Sequence, residues 1–181
     1  MEAKFRKLEM HELGRLSSDE SQQKQTRNFV LVLDSIRSLN NVGSIFRTSD
    51  AFLVKELYLC GLTGQPPHRD IQKTALGATE TVSWKYYPEI KTCLEDLKKQ
   101  SYIIVGIEQT KGSIGLESFE FESEINYALV LGNEVSGVSD EALALCDFVI
   151  EIPQFGSKHS LNVAVTAGII GWEFVAQSMK S

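Results

Sequence analysis

"YALVLGNEVSGVS", residues 127–139, is the stretch from which the rest of the chain can be read. It opens on an apolar run without alternation, the pattern of a strand covered on both faces. Gly132 and Gly137 then stand at the Gly-x-x-x-x-Gly spacing of a phosphate-binding loop. Such a loop continues with Lys and then Ser or Thr, and the lysine neutralises phosphate charge. Here Val138 and Ser139 follow instead, and Glu134 lies inside the loop, where a carboxylate would repel a triphosphate. The segment ends a strand in a glycine loop suited to something other than phosphate.

The same buried-strand pattern recurs on both sides of it. "FVLVLD" (29–34), "ELYLC" (56–60), "VSWKYY" (82–87), "YIIVGI" (102–107) and "FVIEIP" (148–153) read as strands. Between them, "NNVGSIFRTSDAFL" (40–53) sets Val42, Ile45, Phe46 and Phe52 at helical spacing, with Asn40 or Asn41 available as its cap. "EIKTCLEDLKKQ" (89–100) places Ile90, Cys93, Leu94 and Leu97 on one helical face, and "SDEALALC" (139–146) reads as a short helix opened by Ser139. "SLNVAVTAGIIGWEFVAQ" (160–177) is apolar almost all round, which predicts a largely buried helix capped by Ser160, with Asn162 in its first turn. Strand and helix alternating in this way predict an α/β domain with a mostly parallel sheet flanked by helices. Residues 28–181 suffice for one such domain. Residues 1–27 form an extension in which Phe5, Leu8, Leu13 and Leu16 make a partial helical stripe before a polar linker.

Composition narrows the function classes. The net charge of −6 argues against indiscriminate nucleic-acid binding. Charge is uneven, however: residues 1–27 carry six Lys/Arg (Lys4, Arg6, Lys7, Arg15, Lys24 and Arg27) against five acids, while "ESFEFESE" (117–124) is an acidic block. No apolar run approaches the roughly 20 residues of a membrane span, and the N-terminus lacks the apolar core of a signal peptide. Cys60, Cys93 and Cys146 are scattered and odd in number, which fits a reducing cytoplasm better than a disulfide framework. His11, His68 and His159 lie far apart, so no metal is expected. No G-x-G-x-x-G follows the first strand, which disfavours a dinucleotide fold.

In parallel sheets, ligands sit beyond the carboxyl ends of the strands. Three strand ends here run into loops of unusual composition: "GIEQTKG" (106–112), "LGNEVSGVS" (131–139) and "IPQFGSKHSLN" (152–162). After the first strand, Gly43 and Arg47 lie one turn apart on a helix with Asn41 near its start. Gly43 costs that helix roughly 1 kcal/mol against Ala, so another group should approach its backbone closely. The plainer account is a packing glycine with an Arg47–Asp50 surface pair. His159 beside Ser160 suggests a hydrolase pair only weakly, because neighbouring residues rarely face one another.

Together, N-x-G-x-x-x-R (41–47), "LGNEVSGVS" and "IPQFGSKHSLNVAVTAGI" (152–169) resemble, in order and spacing, the three motifs of the SpoU/TrmH family. These are RNA ribose 2'-O-methyltransferases of the SPOUT class, and the resemblance covers about residues 28–176. It implies a C-terminal trefoil knot, S-adenosylmethionine as methyl donor and a homodimer. By position, Gly132, Ile152 and Leu161 match the family's donor contacts, with Leu131 and Glu108 of the "GIEQT" loop as further walls. Arg47, Asn41, Glu134, Ser160 and Asn162 match its catalytic positions. A guanidinium with a pKa above about 12 is a poor base, so Arg47 is expected to clamp a phosphate and stabilise the developing alkoxide, with Asn41 orienting it or the hydroxyl. A sulfonium donor carries no phosphate, which accounts for the missing lysine. "PPHRDIQKTALGATE" (66–80), read as a loop, offers His68, Arg69 and Lys73 as RNA contacts. Transfer RNA is favoured over ribosomal RNA. The alternatives are the same reaction on ribosomal RNA, a non-catalytic RNA-binding dimer, or a nucleotide hydrolase built on the Gly132–Gly137 loop.

Overall fold

The computed structural model describes residues 5–9, 12, 26–157 and 160–180. Leu13 and Leu16 of the expected helical stripe lie outside the described residues, as do Lys4, His11, Arg15, Lys24 and His159. The described strands are β1 (Phe29–Asp34), β2 (Leu57–Cys60), β3 (Trp84–Tyr87), β4 (Tyr102–Ile107), β5 (Ile114–Gly115), β6 (Asn126–Leu131) and β7 (Phe148–Glu151). They form one sheet in the order β3-β2-β1-β6-β4-β7-β5, and every pairing is parallel. The chain builds outward from β1 to β3 and returns to lay down β4, after which β6 fills the place between β1 and β4. Three strands whose loops stood out in the sequence, β6, β4 and β7, therefore end side by side.

Burial on both faces explains the unbroken apolar runs. Phe29, Leu31 and Leu33 of β1 turn to one face, Val30 and Val32 to the other. The first face packs against α1 (Leu39–Phe52), α2 (Arg69–Ala75), α3 (Ala78–Thr81) and α6 (Val163–Ser178). The second, smaller cluster is closed by α4 (Ile90–Lys99) and α5 (Asp140–Leu143). Each fully buried Leu, Ile or Phe contributes roughly 1.5–3 kcal/mol, whereas an exposed ion pair such as Lys99–Asp96 is worth less than about 1 kcal/mol. The two apolar layers hold the fold.

Four expectations are corrected. Residues 66–80 are not a loop: they form α2 and α3, with His68 Nδ1 accepting from the Asp70 N–H at 3.2 Å as the cap of α2. The cap of α1 is Ser38, whose hydroxyl accepts from the Asn41 N–H, and not Asn40 or Asn41. The cap of α6 is Asn162 and not Ser160, because its side-chain oxygen takes the N–H groups of Ala164 and Val165. Finally, α6 is not covered all round: Val165 and Trp172 remain 51% and 54% exposed, while the rest of the helix is buried or partly buried. Among the described residues, no helix is long and apolar enough to cross a membrane.

Candidate active site

The glycine loop after β6 is built by its own backbone. Asn133 and Gly137 exchange two backbone hydrogen bonds, Asn133 N to Gly137 O at 3.1 Å and Gly137 N to Asn133 O at 3.0 Å. Asn133 Oδ1 accepts from the N–H groups of Val135 and Ser136, both at 2.9 Å, which closes the turn. A Cβ on Gly132 would overlap the backbone carbon of Gly137 and nitrogen of Val138. Gly137 has φ +68°, and a Cβ there would overlap the Glu108 carboxylate. These two positions therefore have no substitute for glycine.

Two carboxylates from the flanking strands anchor the far side of the loop. Glu108, just past β4, accepts from the Val138 N–H at 2.9 Å. Asp34, at the end of β1 and only 4% exposed, accepts from the Ser139 N–H at 2.9 Å. The loop that resembled a phosphate cradle is thus held by acids, which removes the remaining support for a nucleotide-hydrolase loop.

A chain of side-chain amides joins the three motif segments. Asn162 Oδ1 is committed to the first N–H groups of α6, so its Nδ2 faces Asn41 and donates to Asn41 Oδ1 at 3.1 Å. That fixes the Asn41 amide the other way round, and its Nδ2 donates to Glu134 Oε1 at 2.8 Å. Glu134 also accepts from the backbone N–H groups of Arg37 and Ser38, each at 3.2 Å. Partial burial works to raise the Glu134 pKa, but the Asn41 amide and the backbone N–H groups of Glu134 itself, Arg37 and Ser38 outweigh it. The carboxyl lies below its ordinary value. Every orientation in this relay descends from one helix N-terminus.

Beside the relay lies a cleft of about 580 Å³, within the usual range for a small-molecule site. All five expected donor-contact residues line it: Glu108, Leu131, Gly132, Ile152 and Leu161. Glu134, Ser160 and Asn162 line it too. Asn41 stands behind the wall, in contact with Glu134 and Asn162. Glu108 has a structural task besides, since its two oxygens accept from the Gln109 and Val138 N–H groups. No Lys, Arg or His is among the described residues of the lining, while two carboxylates are. That lining suits a ligand carrying positive charge better than a polyphosphate.

Arg47 does not line this cleft. It is exposed on α1 and makes no hydrogen bond or ion pair among the described residues. The expected Arg47–Asp50 pair is not formed, since Asp50 accepts instead from Thr81 Oγ1 at 2.7 Å. Gly43 behaves as its place in a helix suggested: a Cβ would overlap Thr74 Oγ1 and the Ile71 carbonyl, and Thr74 Oγ1 donates to the Asn40 carbonyl at 3.0 Å. This seam docks α2 on α1 and carries His68, Arg69 and Lys73, all exposed, on the α1 side of the sheet. Sequence reasoning missed Thr166 in the lining, as well as the anchoring role of Asp34. An acid ending an otherwise apolar strand was the available signal for Asp34.

Residues 28–172 match the SpoU rRNA Methylase family. A Bacillus subtilis protein described as a TrmH family tRNA/rRNA methyltransferase is 29% identical over 158 residues, 84% of this chain and 60% of its own length. The chain thus spans about three fifths of that relative, and of its Staphylococcus aureus counterparts. The tRNA (guanosine(18)-2'-O)-methyltransferase of Thermus thermophilus is 28% identical over 173 residues, 96% of this chain and 87% of its own length. Among solved structures, the SpoU methyltransferase AviRb of Streptomyces viridochromogenes, in complex with AdoMet, superposes with a TM-score of 0.77 at 25% identity, over 90% of this chain and 65% of its own.

Proposed function

The chain belongs to the SpoU rRNA methylase family, and on that premise we propose that it moves a methyl group from S-adenosylmethionine to a ribose 2'-OH of RNA. The observation that carries this reading is the Glu134–Asn41–Asn162 relay, which brings three distant motifs to the edge of one acidic, phosphate-averse cleft. When bound, S-adenosylmethionine supplies an electrophilic methyl on a sulfonium. Gly132, Ile152 and Leu161 hold the donor against bare backbone, and Glu134 complements its positive charge. Ser160, exposed at the mouth, and Asn162 border the place where the hydroxyl enters. Holding the hydroxyl and the methyl in line supplies several kcal/mol of the rate enhancement.

Arg47 stabilises the developing alkoxide and clamps the neighbouring phosphate; base action is not asked of it. Because it stays off the cleft wall of its own chain, this role goes with a homodimer. The half-exposed Val165 and Trp172 of α6 provide an apolar face for a second copy. The catalytic unit is residues 28–181, folded with a C-terminal trefoil knot, and residues 1–27 add a basic extension. Arg69, Lys73 and His68 contact RNA, with tRNA as the substrate, in a reducing cytoplasm that keeps the three cysteines as thiols.

Incubation of the full chain with methyl-labelled S-adenosylmethionine and separately purified unmodified tRNA and rRNA tests the proposal. A 2'-O-methyl group blocks alkaline cleavage of the following phosphodiester, so the label should appear in an alkali-resistant dinucleotide from tRNA. Label in rRNA alone would move the substrate, and label on a base would refute ribose chemistry.

A further inference from the structure

An RNA strand that offers its ribose to this cleft brings phosphates toward a wall that repels them. Glu108 and Glu134 face the cleft, and no described lining residue carries positive charge. A cation on the rim can meet a second backbone phosphate, beside the one that Arg47 clamps. Arg47, the arginine of the first motif, lies six residues beyond Asn41 on α1 and off the wall.

Arg37 stands nearer. Its backbone N–H donates to Glu134 Oε2 at 3.2 Å, so the main chain that bears it is pinned to the relay. Its side chain is exposed and has no hydrogen bond or ion pair among the described residues. The nearby Glu134 carboxylate does not claim it, being occupied by Asn41 and two backbone N–H groups at the start of α1. A guanidinium on a fixed backbone with no intramolecular partner is equipped to take an external phosphate with two parallel hydrogen bonds.

We propose that Arg37 is an RNA-positioning residue that binds a backbone phosphate flanking the target nucleotide. The proposal rests on the RNA 2'-O-methyltransferase reading and adds a contact to it. Arg37 acts on substrate placement, not on the reacting atoms, and its backbone bond to Glu134 survives any side-chain change. The sequence places Arg37 outside the N-x-G-x-x-x-R motif, four residues before its asparagine.

The test compares wild type with Arg37→Ala, Arg37→Glu and Arg37→Lys, all as the full chain. Binding of an unmodified tRNA transcript is followed by fluorescence anisotropy over a salt series, and turnover is measured beside it. Arg37→Ala should weaken RNA binding about five- to tenfold and lower the slope of log K against log salt by about 0.7–0.9, the value of one phosphate contact. Arg37→Glu should weaken binding further and Arg37→Lys should restore most of it, with kcat and S-adenosylmethionine affinity within twofold of wild type. Unchanged RNA affinity and salt slope in Arg37→Glu would overturn the proposal. So would a fall in donor affinity in step with RNA affinity, which would mark a structural role at Glu134. A wild type that binds RNA yet transfers no methyl would remove the catalytic reading, while the salt slopes would still decide the role of Arg37; a wild type that binds no RNA would overturn both.

Discussion

Asn41 and Arg47 sit on the same helix and in the same motif, but the fold treats them in opposite ways. Asn41 is engaged at both ends of its amide, to Glu134 and to Asn162. Arg47 is exposed and has no partner within the described chain. A saturated polar group can position its neighbours and gains nothing further from a ligand. An unsatisfied cation on a rigid helix is held ready for an external charge. The first turn of α1 is thus committed to internal contacts, while Arg47, more than a turn beyond it, makes none among the described residues.

Substitutions can break that contrast in a graded order. Arg47→Ala should have the largest effect on turnover, a loss of about 10²–10³ in kcat, the scale of removing one oxyanion-stabilising donor. Donor affinity should be unchanged and Tm nearly so, because an exposed, unpaired side chain contributes within about 0.5 kcal/mol; a comparable fall in donor affinity would show Arg47 to be scaffold as well. Asn41→Ala should lower kcat/KM roughly tenfold to a hundredfold, in line with the about 1.5–3 kcal/mol of a hydrogen bond to a charged group. In this variant the helix should persist under its Ser38 cap, as far-ultraviolet circular dichroism would report.

Gly43→Ala tests the seam between the two behaviours. Its Cβ would overlap Thr74 Oγ1 and the Ile71 carbonyl, so overpacking should cost about 1–3 kcal/mol of stability in a denaturant titration. RNA affinity should fall with it, because α2 carries Arg69 and Lys73. The smallest effect is on pH dependence. Glu134 has its folded-state pKa lowered, so its stabilising contribution is complete above the ordinary glutamate value of about 4.3 and is lost as pH falls through the lowered one. Donor affinity should therefore be flat with respect to this group near neutrality and fall only on the acid side. Glu134→Gln should lack that acid limb; a limb near pH 7 due to Glu134 would contradict the relay.

Much of the fold was legible because burial on both faces leaves an unmistakable mark. "FVLVLD" and "YIIVGI" are strands over the residues read from sequence, since each is covered by helices on both sides. The two-residue β5 left no periodic signal, and α2 and α3 were hidden because each buries only one or two residues. Sheet order was not legible at all. Nothing local in β6 says that it enters between β1 and β4, yet that insertion makes three loops converge. The candidate site was legible as motifs and not as contacts. Glu134 and Asn162 meet Asn41 across 93 and 121 residues of chain, and side-chain distances of that kind follow only from topology. Arg47 shows the converse: its motif was plain, while its place off the cleft wall follows only from the fold.

Calorimetric titration of S-adenosylmethionine into the full chain, beside Gly132→Ala, tests most directly whether the segments after β4, β6 and β7 make one methyl-donor cleft. The wild type should bind one equivalent per chain, and the variant should bind none, because a methyl at residue 132 has no room against the Gly137–Val138 backbone. No heat from the wild type, or equal affinity in the two proteins, would contradict the account.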